Sequence, residues 1–255
     1  MDTENVMLAY NQYERQQFNA LGGEKIDTPE LVRFVSPERY GSYIAYFCLT
    51  RENAQAVIDR EKAFFQRQGK CFEWKTYQTD KPDDIAQRLL NSGFEKAEQE
   101  SFMVLDLSTI TAKPVDESLL TEVHDEQGIR DAIRVQEQVW GGNFEWQFQH
   151  LLSLKQQTPD AISIYVVYHQ GQPVTSAWLT FNGESPFAGI WGGSTIEAER
   201  GKGFYSLLLN KRIAEAKSRG KQYLTIDASD MSKPIVEKYG FQFVTSTTGY
   251  EFNVE

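Results

Sequence analysis

The chain has 255 residues, enough for two domains of ordinary size and for a core that needs neither disulfide nor metal staples. Hydrophobic residues are 40% and charged residues 24%, which excludes a disordered or fibrous chain, and the apolar runs near 43–49 and 162–168 fall far short of the ~20 residues of a membrane span. A balance of 26 basic against 36 acidic residues gives a net charge of −10, which argues against a nucleic-acid protein and favours cationic ligands.

The first helix is expected over 6–21, with Val6, Tyr10, Tyr13 and Gln17 along one face. Strand 42–49, helix 52–68, strand 71–77, helix 82–91 and strand 101–107 follow, with Gly69-Lys70 and Gly93-Phe94 ending the two helices. Segment 108–117 is polar, contains Pro114 and lacks apolar periodicity, so it reads as the join between two domains, 1–112 and 113–255. Beyond it, Ile129, Ile133, Gln136 and Trp140 recur at helical spacing over 126–140, and a second helix over 146–157 stops before Pro159. Strands 161–169 and 173–181 flank Gln170-Gly171-Gln172 as a β-hairpin. Strand 187–195, helix 203–219, strand 223–228, helix 233–239 and strand 248–253 complete the chain, with Gly220-Lys221 and Gly240-Phe241 as helix ends. The fold class is α/β with a mixed sheet.

The two halves repeat each other. Strand, long helix, Gly-Lys, strand, short helix, Gly-Phe, strand occurs over 42–107 and again over 187–253. Glycine at each helix end is the left-handed cap that turns the chain directly into the next strand. A duplicated α/β unit accounts for both the order and the punctuation.

Glu197 to Leu209 (EAERGKGFYSLLL) is the most chemically informative stretch. It follows an apolar strand and opens an amphipathic helix with Phe204, Leu207, Leu208 and Ile213 inward. Gly201 and Gly203 let the loop turn its amides outward, and the helix dipole adds to them a site for a pyrophosphate, with Arg200 and Lys202 supplying charge. The Walker pattern fails for want of its upstream Gly, and the Rossmann fingerprint fails because Phe204-Tyr205-Ser206 lacks the third Gly. A tight strand-to-helix turn with no ligand is the plainer reading of Gly-x-Gly alone.

The run FAGIWGGSTIEAERGKGFY followed by EKYGF resembles the GCN5-related N-acetyltransferase (GNAT) superfamily, whose Arg/Gln-x-x-Gly-x-Gly/Ala loop binds the pyrophosphate of coenzyme A. The resemblance implies a tandem acyl-CoA N-acyltransferase fold of bacterial type, with a degenerate first copy. In that copy Arg51-Glu52-Asn53-Ala54 stands at the loop, without glycine and with an added carboxylate. The implied cofactor residues are Gly193, Ser194 and Thr195 at the strand end, where paired glycines also fit a β-bulge, and Arg200, Gly201, Lys202, Gly203, Phe204 and Tyr205. The implied donor is acetyl-CoA, with no metal.

The resemblance further implies an acid Tyr five residues before Phe241, but Val236 stands there, and a base Glu early in the preceding strand, where 187–189 has none. Glu197, Ser232 and Tyr239 are the substitutes for proton transfer, with Tyr205, Glu145, Asp227 and Asp230 as further candidates. His124 and His169 read as structural or exposed. Between the first two helices of the second copy, Phe144, Glu145 and Trp146 are placed to receive a cationic amine, whereas Trp140 falls on the packing face. Cys48, Cys71 and 3 His offer no disulfide framework and no zinc spacing. With no signal segment and no span, a cytoplasmic protein is expected, acting on a small-molecule or peptide amine and compatible with a homodimer. The alternatives are a non-catalytic acyl-CoA-binding or regulatory protein, and transfer of another acyl group or to an unusual acceptor, as in mycothiol synthase.

Overall fold

The computed structural model describes residues 1–254. Helix α1 (Thr3–Tyr10), capped by the Asp2 carboxylate on the Glu4 and Asn5 amides, runs into a π-helical turn, Asn11–Gln16. There follow β1 (Glu24–Asp27), β2 (Leu31–Val35), β3 (Ser42–Phe47), α2 (Ala54–Arg67), β4 (Phe72–Tyr77), α3 (Ile85–Asn91) and β5 (Glu95–Asp106). The second half runs β6 (Leu120–Val123), α4 (Glu126–Trp140), α5 (Glu145–Gln157), β7 (Ile162–His169), β8 (Gln172–Phe181) and β9 (Phe187–Thr195). It ends with α6 (Phe204–Ser218), β10 (Tyr223–Ala228), α7 (Lys233–Glu237) and β11 (Gln242–Phe252). No helix among the described residues is long and apolar enough to cross a membrane.

Three strands go beyond the sequence expectation. β1 and β6 are four-residue strands with too little alternation to register, and buried Arg33 breaks the apolar run of β2. The helix expected over 6–21 ends as α-helix at Tyr10 and widens into the π turn. β5 and β11 start earlier than the apolar pattern suggests because each start pairs with the far end of the other strand, Glu95 and Lys96 with Glu251 and Tyr250, and Gln242 and Phe243 with Val104 and Met103.

The chain forms two compact units, Met1–Val104 with the segment from Asp227 onward, and Leu105–Ile226. In the first, the strand order is β1-β2-β3-β4-β11-β5; in the second, β9, β8, β7 and β6 follow β10 in turn. Strand β11, the last of the second sequence copy, lies antiparallel between β4 and β5 of the first unit. Its Tyr250 and Phe252 join Phe72, Trp74, Phe65 and Phe94 in that unit's core. The sequence repeat and the compact units therefore differ by this segment. The second unit buries Ile129, Ile133, Phe148 and Ile164 on one side of its sheet, and Tyr165, Val167, Phe204 and Leu208 on the other.

The repeat extends to individual hydrogen bonds. Gly69, Gly93, Gly220 and Gly240 all have positive φ. After each, the next amide reaches back to the helix: Lys70 to Phe65 O, Phe94 to Leu89 O, Lys221 to Ala216 O and Phe241 to Val236 O. The two lysines then do the same work. Lys70 Nζ donates to the carbonyls of Ser36, Pro37 and Glu38, and Lys221 Nζ to those of Gly183 and Ser185, tying down the loop before β3 and before β9.

Each copy also holds a parallel pair of the same short register. β3 and β4 pair from Ser42↔Phe72 to Ile44↔Trp74, and β9 and β10 from Phe187↔Tyr223 to Gly189↔Thr225. Beyond these residues the strands part. In the first unit Arg15, from the π turn, bridges the divergence. Its Nε donates to Ala45 O of β3 at 2.9 Å, and its guanidinium grips Asp80, just beyond β4, at 2.8 and 2.9 Å. Asp80 also accepts the Tyr77 amide, and the guanidinium lies 4.5 Å from the Tyr77 ring centre.

On β4, Phe72 and Trp74 enter the core, while Glu73, Lys75 and Tyr77 alternate onto the other face, where Tyr77 meets Tyr10 of α1. Burial, with Asp227 as the next cause, pushes the Glu100 carboxyl up to about 7.

Two predictions follow from this packing. Arg15→Ala leaves Asp80 buried and unpaired, and urea unfolding should show a loss of about 3–5 kcal/mol; a loss under ~1 kcal/mol would mean the bridge is incidental. The folded state holds a proton on Glu100 that the unfolded chain releases above its ordinary pKa of 4.5, so stability falls as pH rises from there to about 7. Glu100→Gln removes that loss, and because the side chain is partly solvated the gain in Tm over wild type should grow between pH 5 and pH 8 by only ~2–4 °C. An advantage that does not change with pH would contradict the assignment.

Candidate active site

β9 carries the site. Past Gly189 it leaves its pairing with β10 but stays paired with β8, where Trp178↔Trp191 gives way to Ser176↔Ser194. The extra residue on β9 makes a bulge at Gly192-Gly193, as the paired glycines suggest. Gly192 has φ +59°, and a Cβ there would lie 2.0 Å from the Trp178 ring. Only glycine fits.

A buried polar network fixes this bulge. Gln136 of α4 donates to Ser176 Oγ and to Gly192 O, both at 2.7 Å, and accepts from Ser194 Oγ at 3.1 Å. Trp140 Nε1 donates to the same Ser194 oxygen at 3.0 Å. Trp140 is 59% exposed, so the packing role read from its helical position is wrong: the helix ends there and the ring stands free of the core.

After Thr195 a 3₁₀ turn, Glu197–Glu199, brings in Arg200, whose Nε donates to Thr195 O. Gly201 and Gly203 take φ of +77° and +87°, and a Cβ at either would meet nothing within 4 Å. The backbone demands glycine here, and the space over the loop is open. No side chain caps α6, so its first-turn amides present the positive end of the helix to solvent or a ligand. Lys202 pairs with Glu199 at 2.9 Å, and His169 reaches the same carboxylate at 2.8 Å. The Lys202 bond, with His169 after it, holds Glu199 below the usual carboxylate range, and Lys202 brings less free charge to the loop than its sequence suggests.

Phe204 is buried with its ring against His169, while Tyr205 is half-buried and departs from the family pattern. Counted from Arg200, it occupies the last, small-residue position of Arg/Gln-x-x-Gly-x-Gly/Ala. Its ring lies where a Cβ on Gly193 would come within 2.9 Å, so Gly193 makes room for it. Beneath it Arg212 is 1% exposed; burial lowers its pKa against the opposing Tyr205 phenol, and Nη2 has no hydrogen-bond partner.

The expected acceptor residues are adjacent but differently engaged. Phe144 precedes α5 and packs against the core of that unit. Glu145 is held by Arg130 at 2.6 and 3.2 Å and by Gln149, which lower its pKa and commit its charge. Trp146, 38% exposed, stacks on His150 with rings 5.5 Å apart. Glu197 is exposed on the 3₁₀ turn. Ser232, bonded to Ser229 at the start of α7, and half-buried Tyr239 belong to the first unit, while the loop belongs to the second. The sequence reading passed over Gln136 and Arg212 as parts of this site. The signal was present: each is a polar side chain among inward apolar residues, Gln136 after Ile129 and Ile133, Arg212 between Leu209 and Ile213. Among the described residues no group of three or more His, Cys, Asp or Glu side chains could hold a metal ion.

Residues 129–241 match the model of the acetyltransferase (GNAT) family. No curated protein sequence matches the chain. Among solved structures, a GCN5-related N-acetyltransferase from Kribbella flavida superposes with a TM-score of 0.70 at 13% identity, over 96% of this chain and 94% of its own. A conserved protein of unknown function from Staphylococcus epidermidis gives 0.67 at 14%, over 92% and 96%. A tandem GNAT protein from the clavulanic acid biosynthesis pathway gives 0.60 at 9%, over 96% and 86%. At these identities the structures speak for the fold alone. Residues 129–241, which hold β9, the glycine loop and α6, are thus similar in sequence to the acetyltransferase (GNAT) family.

Proposed function

We propose that the chain transfers an acetyl group from acetyl-CoA to a primary amine of a small molecule or peptide, using one cofactor site per chain. The observation that carries this reading is the parting of β9 from β10 after three pairs, leading into a glycine loop and an uncapped α6. Gly201, Lys202, Gly203, Phe204 and Tyr205 would hold the pyrophosphate through their amides, with Arg200 beside them. Gly193, Ser194 and Thr195 would offer the β9 backbone to the pantetheine arm. The open space over Gly201 and Gly203 fits such a group.

When bound, acetyl-CoA supplies an activated thioester. The chain's own part is to hold the amine against it, take up a proton and meet the developing oxyanion. The ammonium of a primary amine, with pKa near ~10, must lose a proton before attack. Glu197, in the same unit as the loop, is the candidate for proton transfer, directly or through water. The Gln136 network keeps the Gly192-Gly193 bulge in one geometry, so an amide there can face the oxyanion without rearranging. Trp140, Phe144 and Trp146 supply aromatic surface for the acceptor, with the Glu145 carboxylate beside it shared with Arg130.

Two features support a single site. At the start of α2, Asn53 accepts the Thr50 amide and Thr50 Oγ1 accepts the Asn53 amide, so the first copy's loop is closed by its own side chains. Arg15 already occupies the divergence between β3 and β4. The reading fits a cytoplasmic enzyme.

Gly203→Asp tests the loop, since Asp tolerates positive φ better than most residues but brings a carboxylate into the phosphate cradle. Affinity for acetyl-CoA should fall by roughly 100-fold or more, with Tm within a few degrees of wild type. Thiol release with a panel of primary amines should disappear with it. Unchanged affinity would overturn the loop assignment, and binding without thiol release from any amine would favour a non-catalytic acyl-CoA-binding protein.

A further inference from the structure

A recessed group of charges lies in the first unit, on the face of β4, β11 and β5 that meets α1. Glu73 and Lys75 project there from β4, Glu100 from β5 and Asp227 from the end of β10. Lys75 Nζ and Asp227 Oδ2 are 2.5 Å apart, with side chains 24% and 6% exposed, so the group is recessed yet reached by water. Glu73 lies over Gly249, where a Cβ would come within 2.3 Å of its Oε1. The glycine makes room for a carboxylate.

Once Glu100 ionises, above about pH 7, the charge does not balance. Burial works against the Lys75 ammonium, but Asp227 and Glu73 outweigh it and hold it protonated. One ammonium then stands against the carboxyls of Glu73, Glu100 and Asp227. The second oxygen of Asp227, Oδ1, is buried and has no hydrogen-bond partner. An orphan carboxylate oxygen that deep is costly to leave unsatisfied. What would satisfy it is an N–H donor carrying positive charge. A primary ammonium has three N–H groups to give it.

We infer that Asp227, with Glu73 and Glu100 around Lys75, forms a binding site for the primary ammonium group of an organic amine. The inference goes beyond the acyl-transfer reading and does not depend on it, because binding is read without acetyl-CoA.

Calorimetric titration of the full chain at pH 8 with 1,4-diaminobutane, with spermidine and with tetramethylammonium tests it. The two primary amines should bind saturably at one site, and tetramethylammonium, which has the charge but no N–H, roughly tenfold or more weaker. Asp227→Asn should weaken the amines by roughly tenfold or more, and Glu100→Gln by a smaller factor. Circular dichroism checks that both variants fold, and Glu73→Gln takes the place of Asp227→Asn if that variant does not. No saturable binding, equal binding of tetramethylammonium, tighter binding of Mg²⁺ than of either amine, or variants with wild-type affinity would each overturn the site.

Discussion

Two parallel strands that stay paired for three residues and then part are the constraint on which both halves of this chain turn. Parting strands leave backbone amides and carbonyls without ladder partners, and buried ones must be satisfied by something else. The first unit answers with its own side chain. Arg15 reaches Ala45 O and Asp80, which accepts the Tyr77 amide in turn, so the divergence is closed from within. In the second unit the strand runs on to a bulge, an open glycine loop and an uncapped helix. One backbone plan thus has two endings, and in the reading proposed above a ligand completes only the second.

The bulge is over-determined. Gly192 is required by its φ and by the Trp178 ring, Gly193 by Tyr205, and Gln136 bonds the carbonyl between them and the flanking serines. Such redundancy keeps a strained backbone in one arrangement. It also explains how Tyr205 can stand where the family loop has Gly or Ala. The bulk gained on α6 is removed from β9, and Arg212 beneath the phenol gives it a polar partner. In the first unit, three carboxylates face a single lysine; burial raises the Glu73 and Glu100 pKa values, and Lys75 only partly offsets it.

Much of this was legible in the sequence. The strand and helix over 187–219, the helix over 126–140 and the hairpin around Gly171 follow from apolar periodicity and glycine punctuation, and the structure has them within a residue or two. The family follows from the loop and from the Gly-Phe corner, whose spacing is set by local geometry. What sequence could not supply depends on pairing between distant segments. The early starts of β5 and β11 become strand because each has the far end of the other to pair with, and β11 enters the first unit's sheet although it closes the second repeat. Arg15 reads as one more polar residue on a helix until Asp80 is seen beside it. The exposure of Trp140 and the pairing of Glu145 with Arg130 likewise arise from where helices end, which periodicity locates poorly.

The central claim is that a shared strand geometry serves one cofactor in one copy only. Calorimetric titration of the wild-type chain with acetyl-CoA, fitted for the number of sites, tests it most directly. The account predicts one site per chain. Two sites would show that Arg15 and the Thr50–Asn53 turn do not close the first copy, and no binding would remove the cofactor from the second.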